Sequence, residues 1–277
     1  MTSGRYDLAA LDMDGTLLNT DHAFTPYTVA ALDRAAKAGK VIALCTGRCL
    51  SELWSHFEAV PAIGYAISEN GGCIYDVKGG RTLSQLSIEA EKAWAVLEKL
   101  RAYDVCIQCF IRGQSYIQNP GGEALKPYHV HDFARVFEEG SKFVTDVRAL
   151  ARESGAVEKI DVYFTNADDR AAFWREIADW GLFIADSIGL GCEISPIEAT
   201  KAGGLERLCD HLGIDIARSL AVGDGGNDLD LMRAAGLSIA MGNATEAVKA
   251  IADTETEDCD HDGAAKAVLR YMLNEEP

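Results

Sequence analysis

Short apolar runs alternate with amphipathic stretches through most of this chain, and few residues separate them. YDLAALDMD reads as a strand, TPYTVAALDRAAKAG as a helix and KVIALCTGR as a buried strand. LSELWSHFEAV follows as a helix and GYAISENGG as a strand ending in a glycine turn. Thr25 is placed to cap the first helix, Pro26 lies in its first turn and Gly39 falls past its end. Toward the C-terminus TKAGGLERLCDHLG, RSLAVGDGG, NDLDLMRAAG, LSIAMGN and ATEAVKAIADT repeat the alternation, helix first. Parallel strands need crossover connections, so this pattern predicts a parallel sheet with helices on both faces.

The middle of the chain has another texture. EAEKAWAVLEKLRAY predicts a helix, and CIQCFI and SYIQN predict strands joined by a tight RGQ turn. EKIDVYFT, LFIADSI and GCEIS read as further strands, with the amphipathic DDRAAFWREIADWG between the first two. Hairpins mixed with helices suggest a separate α+β unit. The expected fold class is α/β: a Rossmann-like parallel sheet core built from residues 1–83 and 192–277, carrying an inserted domain over 84–191.

Composition limits the function classes. A formal net charge of −17 over 277 residues argues against binding the phosphate backbone of nucleic acids, which needs an excess of Lys and Arg. No apolar run reaches the roughly 18 residues of a membrane span. MTSGRYD lacks the basic start and apolar core of a secretory signal, so the expected location is cytoplasmic. The eight cysteines follow no repeating interval and read as buried reduced thiols. Cys106 and Cys109 have metal-knuckle spacing, but positions three apart on a strand point to opposite faces. His129 and His131 in YHVHD lack an evident third ligand, which favours a polar strand or loop edge.

The polar motifs recur at equivalent places. Asp12 and Asp14 end the first strand, Thr46, Gly47 and Arg48 the second, and Asp224, Asn227 and Asp228 follow SLAVGD. All mark the carboxyl edge of a parallel sheet, where open α/β folds carry their ligand sites. Crowded carboxylates cost several kcal/mol without a neutralising cation, and oxygen ligands alone select a hard ion such as Mg²⁺. The plainer alternative is that these aspartates cap helices and shape turns. That explains one Asp-Gly turn well, but not DMDGT, CTGR and GDGGND at three equivalent strand ends.

LDMDGTLLN, CTGR, the segment around Lys201 and GDGGNDLDLM resemble the four signature motifs of the haloacid dehalogenase-like superfamily. SENGG and the size of the insertion narrow the resemblance to the Cof-type phosphatases, whose large α/β cap lies between the second and third motifs. The resemblance implies that Asp12 is the nucleophile that forms an aspartyl-phosphate and that Asp14 is the acid/base. Thr46 would hold the transferring phosphoryl and Lys201 would neutralise it, with Met13, Gly47 and Asn227 completing the phosphate site and Arg48 contacting substrate. Asp12, Asp14 through its carbonyl, Asp224 and Asp228 would hold Mg²⁺. Two departures from the family pattern appear. The third motif reads ATKAGGL, with Ala202 where glycine usually follows the lysine, and Gly225-Gly226 stand where a polar residue is common.

The implied activity is Mg²⁺-dependent hydrolysis of small-molecule phosphate monoesters such as a sugar phosphate, nucleotide or phosphorylated cofactor. A phosphomutase of the same fold and a non-catalytic sugar-phosphate-binding sensor are the alternatives. Asp14 disfavours dehalogenase or phosphonate chemistry. Lys126, Tyr128, His129 and His131 are candidate cap contacts for substrate. Monomer and dimer both remain open from sequence.

Overall fold

Leu8–Leu11 is a run of four residues with no exposed side chain, which requires a strand covered on both faces. The computed structural model, which describes residues 5–118, 122–130 and 134–276, places it at the centre of an eight-stranded sheet. The chain divides into two compact units, one of residues 1–47, 55–84 and 200–277, the other of 48–54 and 85–199. Arg48–Trp54 and residues 192–199, expected with the first unit, thus group with the second, the latter because the strand Gly191–Pro196 pairs within its sheet.

The first unit begins with β1 (Leu8–Leu11), α1 (Pro26–Lys37), β2 (Val41–Cys45), α2 (Trp54–Ala59), β3 (Tyr65–Ser68), β4 (Cys73–Asp76) and β5 (Arg81–Gln85). β1 pairs in parallel with β2, Leu8 opposite Val41, and β2 pairs in parallel with β3. β4 returns antiparallel to β3, a hairpin beyond the strand and glycine turn expected from GYAISENGG. Thr25 does cap α1, its hydroxyl accepting from the Thr28 N–H at 3.0 Å.

The second unit holds α3 (Ala90–Lys99), β6 (Val105–Ile111), β7 (Gln114–Ile117), α4 (Ala134–Gly140), β8 (Ser141–Phe143) and α5 (Val147–Ser154). It continues with β9 (Lys159–Phe164), α6 (Ala167–Ile177), β10 (Leu182–Asp186) and β11 (Gly191–Pro196). Its six strands run in the order β10-β11-β9-β6-β7-β8, antiparallel except for the β7–β8 pair. One face packs Ile107, Cys109, Ile160 and Val162 with α3, α5 and α6. Cys106 and Tyr163 face the other way, so the two cysteines of CIQC are held apart by the pleat. On that second face Lys159 is buried between Asp161 (3.1 Å) and Glu193 (3.3 Å). Glu52 and Ser51 of the 48–54 segment join the same unit: Glu52 accepts from the Gln108 amide at 3.1 Å, and the Ser51 hydroxyl donates to the Gly140 carbonyl at 2.6 Å.

The chain then returns to the first unit with α7 (Lys201–Leu212), β12 (Ser219–Gly223), α8 (Leu229–Ala234), β13 (Leu237–Ala240), α9 (Glu246–Lys249), β14 (Thr254–Glu255) and α10 (Gly263–Leu273). β12 lies against β1 on the side opposite β2, with Leu8 opposite Ser219. The order β14-β13-β12-β1-β2-β3-β4-β5 therefore seats the ends of β1, β2 and β12 side by side. No helix of the described residues is long and apolar enough to cross a membrane.

Candidate active site

β1 delivers Asp12 to the carboxyl edge of the sheet, where its backbone N–H bonds the Val222 carbonyl of β12 at 3.0 Å. α7 approaches from the other direction. Thr200 caps it, accepting from the Gly203 N–H at 3.0 Å, and this puts Lys201 at its first position. The Lys201 ammonium, 1% exposed, donates to Asp12 Oδ1 and to Asp228 Oδ1, each at 2.6 Å. The Ala202 departure leaves this start intact. Its backbone N–H reaches Asp230 at 3.2 Å, and the close approach is made instead at Gly204, where a Cβ would lie 2.4 Å from the Ile67 side chain.

The turn after β12 is tight despite its two glycines. Asp228 Oδ2 accepts from the Asp224 and Gly225 N–H groups, both at 3.0 Å. Both oxygens of Asp228 are thus engaged by protein donors. Asp224 accepts from the Thr16 hydroxyl at 2.9 Å. Gly15, at φ +81°, lies against it, and a Cβ there would come within 2.7 Å of Asp224 Oδ2. The Asn243 amide donates to the Gly15 carbonyl at 2.8 Å, and the Thr245 N–H to the Asp224 carbonyl at 3.0 Å.

One carboxylate oxygen from each of Asp12, Asp224 and Asp228 lies within 4.8 Å of the others. Three acidic groups and one ammonium leave surplus negative charge at a site where Asp12, Asp228 and Lys201 are buried and Asp224 partly so. Burial, helped by the Asp228 charge, pushes Asp12 up to about 8 against the pull of Lys201. Burial also raises Asp224, with the Thr16 hydrogen bond acting the other way and the charges of Asp228 and Asp14 adding to the rise. Burial works against the Lys201 ammonium, but Asp12 and Asp228 more than compensate and hold it well above its usual range. Lys201 therefore keeps its proton, and ionising Asp12 is what the site resists. An all-oxygen set with surplus negative charge has the donor chemistry that suits Mg²⁺.

The other expected residues distribute as follows. Met13 is fully buried, and Asp14 is exposed next to it on the same segment. Thr46 is buried at the end of β2, its backbone tied to Ile67 and Asn70. Gly47 follows it, with a Cβ position 3.2 Å from the Asn70 side chain. Asn227 is exposed beside Asp228. Arg48 opens the segment grouped with the second unit. Tyr128 donates to Asp104 at 3.1 Å and His129 meets the Thr165 carbonyl at 3.3 Å, both inside the second unit, while Lys126 is exposed there. His131 lies outside the described residues.

Thr16, Asn243 and Asn70 join the site without having been singled out from sequence. Thr16 had a signal, since it is the threonine of DMDGT. Asn243 had none, because its partner carbonyl is 228 positions away.

A family model for haloacid dehalogenase-like hydrolases matches residues 9–268. The phosphatase YwpJ of Bacillus subtilis is 31% identical, over 96% of this chain and 99% of that protein. Pyridoxal phosphate phosphatase YbhA of Escherichia coli is 26% identical, over 95% of this chain and 98% of its own length. Among solved structures, a haloacid dehalogenase-like hydrolase from Bacteroides thetaiotaomicron has a TM-score of 0.85 at 26% identity, covering 96% of this chain and 99% of that one. The chain belongs to the haloacid dehalogenase-like hydrolases, and within them it is a phosphoric monoester hydrolase of the Cof type.

Proposed function

We propose that this enzyme hydrolyses small-molecule phosphate monoesters in two steps through an aspartyl-phosphate on Asp12, with Mg²⁺ as cofactor. The observation that carries the reading is the buried Lys201 ammonium held between Asp12 and Asp228, 2.6 Å from each, with Asp224 closing an oxygen trio. In the first step an Asp12 oxygen attacks phosphorus, and the ester P–O bond breaks. Asp14, exposed two residues on, gives its proton to the departing alcohol oxygen. In the second step Asp14 takes a proton from water as the water oxygen attacks the same phosphorus. The bond to Asp12 breaks and inorganic phosphate leaves.

Lys201 and the Thr46 hydroxyl hold the phosphoryl oxygens, with Gly47, Asn227 and the backbone N–H groups around Met13 completing the cradle. Asp12, Asp224 and the Asp14 carbonyl are the groups suited to Mg²⁺, and Asp228, with both oxygens already engaged, orients Lys201 and the loop. The ion would supply charge neutralisation for the phosphoryl group and the crowded carboxylates.

The second unit, residues 48–54 and 85–199, serves as the cap that sets substrate choice, with Arg48 contacting substrate. The substrate is a sugar phosphate, a nucleotide or a phosphorylated cofactor, and the name of the Escherichia coli relative makes phosphorylated cofactors the first to try. Eight buried free cysteines support a cytoplasmic, reducing location. Turnover of a monoester in ¹⁸O-labelled water tests the reaction: each hydrolysis should release phosphate with one label. An isomeric phosphate as main product, stimulated by a bisphosphate, would make the protein a mutase. Ligand binding without any turnover would make it a sensor.

A further inference from the structure

The connection between β3 and β4 is strained where a simple hairpin would not be. Ser68 pairs with Cys73, leaving four residues between them, a length usually built on a turn with negative φ. Here Glu69, Asn70 and Gly71 have φ of 55°, 52° and 96°, three left-handed residues in succession. Asparagine and glycine tolerate this region, but glutamate is placed there against its preference. All three residues are buried, and the Ser68 hydroxyl just before them is buried with no hydrogen-bond partner among the described residues. Strain of this kind persists only where the surroundings over-determine it.

The surroundings are two segments of the candidate site. On one side, the Thr46 N–H donates to the Ile67 carbonyl at 2.9 Å and the Asn70 N–H donates to the Thr46 carbonyl at 3.0 Å. Thr46 is therefore held at both its backbone groups by the strand and turn. The Asn70 amide also lies against Gly47, 3.2 Å from where a Cβ would stand. On the other side, Gly71 presses on the start of α7. A Cβ on Gly71 would fall 2.0 Å from the Thr200 carbonyl oxygen and 3.3 Å from the Gly204 nitrogen. The Arg207 guanidinium, further along α7, donates to the Gly71 carbonyl. Thr200 is the cap that places Lys201. The left-handed path lets one short turn bond the Thr46 backbone and lie flat on the residue before Lys201.

We propose that the Glu69–Asn70–Gly71 turn is a positioning element that sets the separation between Thr46 and Lys201. The inference rests on the assignment of those two residues to the transferring phosphoryl group. Asn70 and Gly71 act through Thr46, Gly47 and Thr200, and neither takes a chemical step.

Asn70→Gly separates this role from a merely structural one. Glycine adopts the same φ without cost, so a turn that only joins two strands keeps its stability and its kinetics. A positioning turn loses its contact on Gly47. We expect kcat to fall by about tenfold or more, with a matching rise in the inhibition constant of inorganic phosphate and a Tm within about 4 °C of the parent. Gly71→Ala, which displaces the Thr200 carbonyl, should lower kcat by about a hundredfold. If Gly71→Ala does not fold, Asn70→Gly carries the test alone. A kcat and a phosphate inhibition constant within about twofold of the parent in Asn70→Gly would overturn the proposal. Thr46→Ala and Lys201→Met, measured alongside, identify which reading has failed. If they lose turnover while Asn70→Gly keeps it, only the positioning role falls. If they also keep turnover, the phosphoryl assignment falls and takes the positioning role with it.

Discussion

Charged residues gather at both edges of the β2–β1–β12 group, and the two edges are electrostatic opposites. At the amino ends stand Asp7, Lys40 and Arg218, each immediately before its strand. Lys40 reaches Asp7 at 3.1 Å and the Tyr6 carbonyl at 2.7 Å, and Arg218 pairs with the other Asp7 oxygen. Two cations serve one carboxylate. The Arg218 hydrogen bond, outweighing burial and helped by Lys40, holds Asp7 below the usual carboxylate range. At the carboxyl ends one ammonium bonds Asp12 and Asp228 with Asp224 close beside them, and burial drives Asp12 and Asp224 upward. The same strands thus present a net cationic clasp at one edge and a net anionic site at the other. The difference is one of charge balance: protein cations meet the carboxylate at the amino edge, and the carboxyl edge keeps surplus negative charge, as the proposed cation and phosphate site would require.

Changes at the carboxyl edge should cost activity and changes at the amino edge only stability. Asp12→Asn should cut phosphate release by about a thousandfold or more while the protein stays folded. Substantial turnover by a folded Asp12→Asn protein would remove the nucleophile. Chelation should abolish activity and added Mg²⁺ should restore it, and Asp224→Asn should raise the Mg²⁺ concentration needed for half-maximal rate. Normal rates in chelator would mean that the carboxylate cluster is not a cation site. Asp14→Asn should lower kcat/KM for alkyl phosphates by about 10²–10⁴-fold. It should do far less harm to kcat/KM for an aryl phosphate, whose leaving oxygen needs no proton, while the loss of the base in the second step lowers kcat for both. An equal loss of kcat/KM on both substrates would deny Asp14 the role of proton donor.

The smallest effects sharpen the comparison through stability. Asp7 has a folded pKa below 3.8, so its contribution is present above that value and is lost as pH falls through the folded pKa. Asp7→Asn should leave kcat unchanged and lower Tm by about 2–4 °C at neutral pH, a difference that fades in acid. Asp12 has the opposite sign. Its pKa rises from 3.8 to about 8 on folding, so the chelated protein should lose stability as pH climbs through that window. Asp12→Asn should flatten this slope and raise the Tm of chelated protein at pH 8. Thermal melts of both variants across pH would show slopes of opposite direction, and parallel slopes would erase the distinction between the two edges.

Much of this was legible in the chain. The Thr25 cap, the β1–α1–β2 order and the placement of DMDGT, CTGR and GDGGND at strand ends follow from apolar periodicity and turn chemistry, which are local properties. β4 and β5 were harder to see, because CIYD and RTLSQ are short and RTLSQ lies partly exposed at the sheet edge. Arg48–Trp54 was assigned by chain order to the first unit, but Glu52 and Ser51 bond to Gln108 and Gly140 in the second. Nothing in the sequence spacing records such a partnership.

The inventory and the periodicity were readable along the chain: which carboxylates end which strands, and that oxygen donors without partnered cysteine or histidine would meet there. Tertiary structure alone decided how those groups share charge. Lys201 and Asp12 are 189 positions apart, and their 2.6 Å contact exists because α7 starts against the end of β1. The engagement of both Asp228 oxygens, the lift of Asp12 to about 8 and the left-handed turn between Thr46 and Thr200 likewise arise only once the parts are packed. Periodicity is a property of neighbours along the chain, whereas burial and charge balance depend on which distant segments exclude water together.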